Sequence, residues 1–402
     1  STFSPPGASR GVTCARARGG VAVGDVEAAT EAAITAATHL TDMDKGAVQA
    51  LWSSFPMDTG RETVQTNRGV SIELVAEMLD PSVRIEHIAF GGGSPNAIDP
   101  IDFVRIVDRL VTIFGAGAAP DVSVEIDPRA FTREWAMTLS IAQVTRVSFG
   151  VQSFDPDIQA AIGRIQPVDM IDTCMAALRA RGITSVNFDL MYGLPFQTIE
   201  KLDATLDEVV RMRPSRIALF GYAHVPQMFP RQRRIDASAL PNAEQRFAQA
   251  AHGYDRLVAE GYVPIGFDHF ALPGDPLAMA ASKGQVRRNF QGFTEDQSDV
   301  LIGLGASAIS LFPGAIIQNE KSPGAYRECM SDGRLAGARG VRLALEDQRR
   351  GVLIEQLLCQ LKVRVDSDLV DPQLDAMLTH FVSLGLVERA GDVLSITDQG
   401  RP

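Results

Sequence analysis

From about Arg84 onward, short runs rich in β-branched and aromatic residues alternate with amphipathic stretches, and each run ends in Gly, Pro or a polar cluster. The pattern predicts strands at 85–90, 122–126, 146–150, 185–191, 216–220 and 263–267. Between them, apolar spacing predicts helices at 100–114, 169–181, 199–211 and 243–260. Asp99 stands where the first helix needs an N-cap, and Pro100 suits its first position because it has no amide to leave unpaired. Strand–helix alternation builds a parallel sheet of the α/β class, and a repeat of about 25 to 45 residues suits the βα units of a barrel better than a sandwich.

The pattern changes at both ends. Residues 1–80 form a divergent N-terminal region whose first forty positions are rich in Ala, Gly, Thr and Arg, with no recognisable strand. The regular part, 81–340, is the barrel domain. Beyond it, 345–363 and 374–386 read as helices and 393–397 as an alternating strand, so 341–402 is predicted to be a small C-terminal domain of winged-helix type. No repeat of solenoid period is present.

Composition narrows the function. In 402 residues, 45% are hydrophobic and 22% charged, which is ordinary for a soluble globular protein. Thirty-eight basic residues against 49 acidic ones give a net charge of −11, unfavourable for nucleic acid or anionic lipid. No apolar run approaches the ~18 residues that span a bilayer, and the first residues lack the order of a secretory signal. A cytoplasmic monomer acting on a small molecule, with no nucleic acid and no membrane as partner, is the expectation. The cysteines, Cys14, Cys174, Cys329 and Cys359, are scattered and contain no CxxC pair.

Unusual polar groups gather at the C-terminal ends of the predicted strands, where barrel enzymes place their sites. They are Gly91 to Asn96, Glu125 with Asp127, Gln152, Asp189, Tyr222 with His224, and Asp268 with His269. Three successive glycines leave backbone amides open to a polar ligand, or merely let strand and helix pack. A dinucleotide fingerprint is matched by Gly91 and Gly93, but Asn96 in its third glycine position argues against it. Asp189 lies inside an apolar strand and needs donors such as ribose hydroxyls, and Gln152 can share that role. Arg164 can pair with a ligand carboxylate or stand as a surface charge. Two basic clusters, Arg231, Arg233 and Arg234, then Lys283, Arg287 and Arg288, are either a polyanion clamp or solvated faces. The histidines show no metal spacing, and no Ser or Cys has a His and an acid placed to make it a nucleophile.

The strings FGGGSP (90–95), VEIDPR (124–129), SFGVQSF (148–154), NFDLMYGLP (187–195), GYAHVP (221–226), GFDHFA (266–271) and RNFQG (288–292) closely resemble the oxygen-independent coproporphyrinogen III oxidase family of the radical S-adenosylmethionine superfamily. The resemblance runs from about residue 80 to the end. It implies a partial (β/α)6 TIM-like barrel that binds S-adenosylmethionine across its strand ends. Gly92, Gly93 and Ser94 would meet the methionyl amino group, Arg164 its carboxylate, and Gln152 with Asp189 the ribose. Glu125, Gln291 and Ile309 match positions near this cofactor or a second copy of it. The implied activity is oxidative decarboxylation of two propionates of coproporphyrinogen III, giving protoporphyrinogen IX in heme synthesis. Arg231, Arg233, Arg234, Arg287 and Arg288 would suit the propionates of such a tetrapyrrole.

One part of the family pattern is missing. The superfamily holds a [4Fe–4S] cluster on a CxxxCxxC loop after the first barrel strand, and residues 41–50, at the matching distance from the glycines, contain no cysteine. His39, Asp42 and Asp44 form no substitute set. No metal ligand and no catalytic residue is assigned, and radical chemistry is not expected of this chain. A tetrapyrrole- or S-adenosylmethionine-binding protein without catalysis, like the related heme chaperones, is the alternative.

Overall fold

The structure, a computed structural model, describes residues 63–79, 83, 85–114, 120–289 and 291–401 together with 48–54, with backbone alone for 48–54 and 63–70. Cys14, His39, Asp42 and Asp44 lie outside the described residues. A 12-stranded sheet dominates. Its parallel run consists of β1 (Val48–Ser54), β2 (Ile85–Gly91), β3 (Asp121–Ile126), β4 (Arg146–Gln152), β5 (Ser185–Tyr192) and β6 (Arg216–Gly221). The helices α1 (Thr63–Met78), α2 (Pro100–Phe114), α3 (Arg133–Ile141), α4 (Pro156–Ala161), α5 (Val168–Arg179) and α6 (Ile199–Met212) connect these strands. Six parallel strands with helical crossovers are the expected partial barrel.

Two members of that barrel differ from the sequence pattern. β1 was invisible in it, yet it pairs in parallel with both β2 and a later strand, β11 (Val300–Gly305). The barrel therefore begins ahead of residue 81. The run 263–267 is no parallel barrel strand. Only β7 (Val263–Ile265) is extended there, and Gly266, at φ 59°, turns the chain into β8 (His269–Ala271), which pairs antiparallel with β6 and β7.

Strand alternation divides core from site. In β3, β4 and β5, Val124, Val147, Phe149, Val186, Phe188 and Leu190 are buried on the helix side. Their neighbours Ser123, Glu125, Ser148, Asn187 and Asp189 line the interior. The helices supply the matching faces: Phe103, Val107, Leu110 and Phe114 repeat at helical spacing along α2 and are all buried. Asp99 caps that helix as expected, its Oδ1 accepting the Ile101 N–H at 2.9 Å. Thr198 caps α6 in the same way through the Lys201 N–H, and a left-handed Arg213 at φ 52° ends it. Burying a side chain the size of Phe188 contributes about 2 to 3 kcal/mol, so this outer face dominates the stability of the barrel.

Beyond β6 lie α7 (Ala243–Ala259), α8 (Pro276–Ser282), and a separate two-stranded ribbon, β9 (Arg287–Asn289) with β10 (Gly292–Thr294). A meander of β12 (Ile309–Phe312), β13 (Ala315–Asn319) and β14 (Gly337–Arg342) extends the sheet past β11, with α9 (Pro323–Ser331) between its last two strands. The C-terminal domain comprises α10 (Leu345–Gln360), β15 (Lys362–Arg364), α11 (Pro372–Ser383), β16 (Val387–Ala390) and β17 (Val393–Ile396). Its three strands form their own sheet around Val363, Leu378 and Leu394, a winged-helix-like arrangement. The predicted helix 345–363 is shorter because left-handed Leu361, at φ 55°, breaks it before β15.

Candidate functional site: the strand ends of the barrel

The loop after β2 is held by Asn96. Its Nδ2 donates to the Asp127 carbonyl at 2.8 Å and its Oδ1 accepts the Asp127 N–H at 3.1 Å, pinning the glycine turn to the end of β3. Gly92 adopts φ 75°, a left-handed conformation suited to glycine, and directs its N–H to Glu125 Oε2 at 3.3 Å. Ser94 follows at the start of a short 3₁₀ turn, with no side-chain cap hydrogen bond there.

Around Gly150 the chain is unusually close. A Cβ there would lie 3.0 Å from both Arg164 Nη2 and Gln152 Nε2, so any larger residue would push both side chains from these positions. Arg164 Nε donates to the Gly150 carbonyl at 3.1 Å. Gln152 sits at φ 69°, a conformation a non-glycine residue holds only under constraint, and its Oε1 is buried without a hydrogen-bond partner. A buried acceptor left open beside a guanidinium is a place for a ligand donor.

Register puts the two interior carboxylates one pleat apart on the same face: Glu125 is level with Ser148 and Asn187, and Asp189, two residues further along β5, is level with Gly150. Asp189 accepts from Asn187 Nδ2 at 2.8 Å and from Ser148 Oγ at 3.3 Å. Burial nevertheless raises Asp189 above the usual carboxylate range, with Asn187, His269 and Ser148 opposing. Burial and then the Asp189 charge push Glu125 up to about 7, against the Gly92 amide. A half-buried Asp189 and a more open Glu125 facing the same cavity favour a cationic ligand with hydrogen-bond donors.

These groups open into an interior cavity of ≈ 300 Å³ lined also by His87, Phe220, His269 and the β9–β10 ribbon. His269 Nδ1 lies 2.6 Å from Asp268 Oδ1, and because a carboxylate only accepts, the ring proton belongs on Nδ1. A salt-bridge group closes the cavity at the starts of the strands. Glu295 takes Arg146 Nη2 and Arg216 Nη2, both at 2.8 Å, and Arg216 Nη2 also meets Asp275 at 2.7 Å.

Gly92, Glu125, Gln152, Arg164 and Asp189 thus come together at neighbouring strand ends, and Gln291 lines the cavity opposite. Ile309 does not line it: it begins β12, packed over Gly303, whose added Cβ would lie 2.6 Å from the Ile309 carbonyl oxygen. Arg231, Arg233 and Arg234 occupy an exposed 3₁₀ turn after β6 and make no ion pair among the described residues. Arg287 instead pairs with Glu355 at 2.9 Å and Asp299 at 3.2 Å, while the Arg288 guanidinium rests over Phe267 and Phe293. Sequence reasoning missed Ser148, Asn187 and Glu295. The first two were available from strand alternation around Asp189; Glu295, 149 residues from Arg146, left no local signal.

Residues 58–209 match the Radical SAM superfamily. With a parallel barrel carrying its polar groups at the strand ends, this defines a radical S-adenosylmethionine protein. Two relatives named oxygen-independent coproporphyrinogen III oxidase are 39% and 35% identical to the chain. The first, from Bradyrhizobium diazoefficiens, aligns with 82% of this chain and 75% of its own length. The second, from Pseudomonas aeruginosa, aligns with 86% and 77%. The solved structure of coproporphyrinogen III oxidase (HemN) from Escherichia coli superimposes with a TM-score of 0.81 at 29% identity, covering 93% of this chain and 91% of that one. The chain belongs to the oxygen-independent coproporphyrinogen III oxidase family.

The superfamily implies S-adenosylmethionine and a [4Fe–4S] cluster. The open Gln152 oxygen, the Gly150 cradle and the two cavity-facing carboxylates fit the first, which brings an ammonium, a sulfonium and ribose hydroxyls. The cluster fits less well. Residues 55–62, between β1 and α1, read FPMDTGRE and hold no cysteine. Among the described residues no group of three or more His, Cys, Asp or Glu is placed to hold a metal. Cys174 is buried under the Pro128 carbonyl and Cys359 lies in α10, and burial pushes each thiol up to about 12. Neither is a thiolate at neutral pH.

Proposed function

We propose that this chain binds S-adenosylmethionine across the ends of β2 to β5 and receives a reduced tetrapyrrole of the coproporphyrinogen III type, the compound for which its relatives are named. The observation that carries this is the buried, partnerless Gln152 Oε1 beside Gly150 and Arg164. When bound, S-adenosylmethionine supplies the adenosyl group on which the family's oxidative decarboxylation of propionates depends. In this reading Gly92, Gly93 and Ser94 offer backbone and hydroxyl groups to its amino end, and Arg164 holds its carboxylate. Gln152 and Asp189 take ribose hydroxyls, and Glu125 balances positive charge. Gln291 faces the ligand from the ribbon, and Ile309, on β12 against Gly303, takes no direct part. Arg231, Arg233 and Arg234 meet propionates at the rim, with Arg288 nearer the cavity.

The absence of thiolates between β1 and α1 means that no electron-transfer step is assigned to this chain, so the proposal is binding without turnover. The identity to named oxidases favours a second reading, full oxidase activity, which requires cluster ligands that this sequence does not supply at the family position. Calorimetric titration of the cluster-free protein with S-adenosylmethionine, and fluorescence titration with coproporphyrin III, test the binding. Saturable binding of both, with the first lost in Gln152→Ala and the second weakened when Arg231, Arg233 and Arg234 become Gln, is expected. Absence of either interaction in the wild type refutes the reading.

A further inference from the structure

The β9–β10 ribbon forms one wall of the cavity yet belongs to no larger sheet: Asn289, Gln291, Phe293 and Thr294 line the interior opposite Glu125 and Asp189. A two-stranded ribbon is marginal in water on its own, so something else must hold it. Part of the hold is apolar, since Phe293 packs with Ile265, Leu277 and Val286. Arg288 adds its guanidinium, 5.1 Å from the Phe293 ring and 5.3 Å from the Phe267 ring.

The remaining hold comes from another domain. Glu355, on α10, accepts the Arg288 N–H and the Arg287 Nε–H on one oxygen, each at 2.9 Å. The first of these bonds engages an outward-facing backbone donor of β9 that the ribbon itself leaves open. Leu358 and Cys359, one turn further along α10, pack against the same apolar cluster as Phe293. Gln360 Nε2 donates to the Gly284 carbonyl at 3.4 Å, just before the ribbon. One face of α10 thus carries the bonds and the packing that fix the ribbon's outer side.

We propose that Glu355 is a positioning residue through which the C-terminal domain sets the cavity wall, so that docking of α10 and occupation of the cavity favour one another. Such coupling is reciprocal: a ligand bound against the ribbon tightens it, and loosening α10 weakens the ligand. The ligand half of this inference rests on the S-adenosylmethionine reading above; the ribbon half does not.

The test is hydrogen exchange measured by mass spectrometry, with S-adenosylmethionine titration, on the wild type, Glu355→Ala and Glu355→Gln. In Glu355→Ala the amides of 287–289 and 292–294 should exchange about tenfold faster while those of β4 and β5 are unchanged, and the affinity for S-adenosylmethionine should fall about tenfold. Glu355→Gln keeps an oxygen that can accept both bonds and should restore both readouts to within about twofold of wild type. Unchanged ribbon exchange, equal loosening of β4 and β5, or a Gln variant as impaired as the Ala variant would each overturn the proposal. Faster ribbon exchange with unchanged affinity overturns the coupling. If the wild type binds no S-adenosylmethionine, the functional reading fails, while the exchange comparison still decides whether Glu355 positions the ribbon.

Discussion

Glu125→Gln should stabilise the ligand-free protein at alkaline pH and weaken it as a binder. Burial and the neighbouring Asp189 move Glu125 from an ordinary value of 4.5 to about 7. In the unfolded chain the group therefore ionises at lower pH than in the folded one. Holding it ionised costs the folded state increasingly as pH rises above its unfolded value, and the full penalty is present above its folded value. The Glu125 side chain is more than a third exposed toward the cavity, so solvent screens much of this gap and only a fraction of it, under about 1 kcal/mol, falls on stability. Glutamine has the shape of the protonated acid and still accepts the Gly92 N–H, so it removes the penalty without opening a hole. Urea denaturation of both proteins across a pH series reads the difference. The variant should match the wild type near about pH 4 and exceed it by a margin under about 1 kcal/mol near about pH 8.5, while its affinity for S-adenosylmethionine falls. A stability difference independent of pH, or a less stable variant at the alkaline end, would refute the view that two strained carboxylates share this interior.

Gln152→Ala removes a side chain whose Oε1 satisfies nothing in the protein, so stability should change by less than about 1 kcal/mol while S-adenosylmethionine affinity drops at least about tenfold. Calorimetry and thermal melts on the same preparation check both halves. Gly150→Ala puts a methyl group 3.0 Å from Arg164 Nη2 and Gln152 Nε2, and should abolish binding in the same titration while circular dichroism stays native. Glu295→Gln acts at the opposite end. Burial alone would raise Glu295, but Arg146 and Arg216 outweigh it and hold it well below the usual carboxylate range. Its contribution is therefore present above the unfolded carboxylate value and lost as pH falls through the folded one. The Gln variant should cost about 3 to 5 kcal/mol at neutral pH and narrow its deficit under acid, as read by denaturant melts.

Much of the barrel was legible because buried parallel strands carry β-branched runs and their helices carry one apolar face. The layout of the site followed, since alternation along β5 puts Asn187 and Asp189 on the side away from Val186, Phe188 and Leu190. What was hidden depends on distant partners. β1 has the composition VQALWSS, with no alternation of its own, and is a strand because β2 and β11 flank it. The stretch 263–267 carries strand-like residues, but Gly266, in a left-handed turn, ends β7 at Ile265 and sends the chain back into the antiparallel β8. Glu295 and Glu355 read as ordinary surface acids until the fold brings Arg146, Arg216 and the ribbon to them.

The most direct test of binding without a cluster is the iron and acid-labile sulfide content per chain after anaerobic reconstitution, with the electron spin resonance spectrum of the dithionite-reduced sample. Substoichiometric iron and no cluster signal, in protein that still binds S-adenosylmethionine, is the expected result. About four iron and four sulfide per chain, with a signal altered by S-adenosylmethionine, would contradict it and return the chain to the catalytic members of its family.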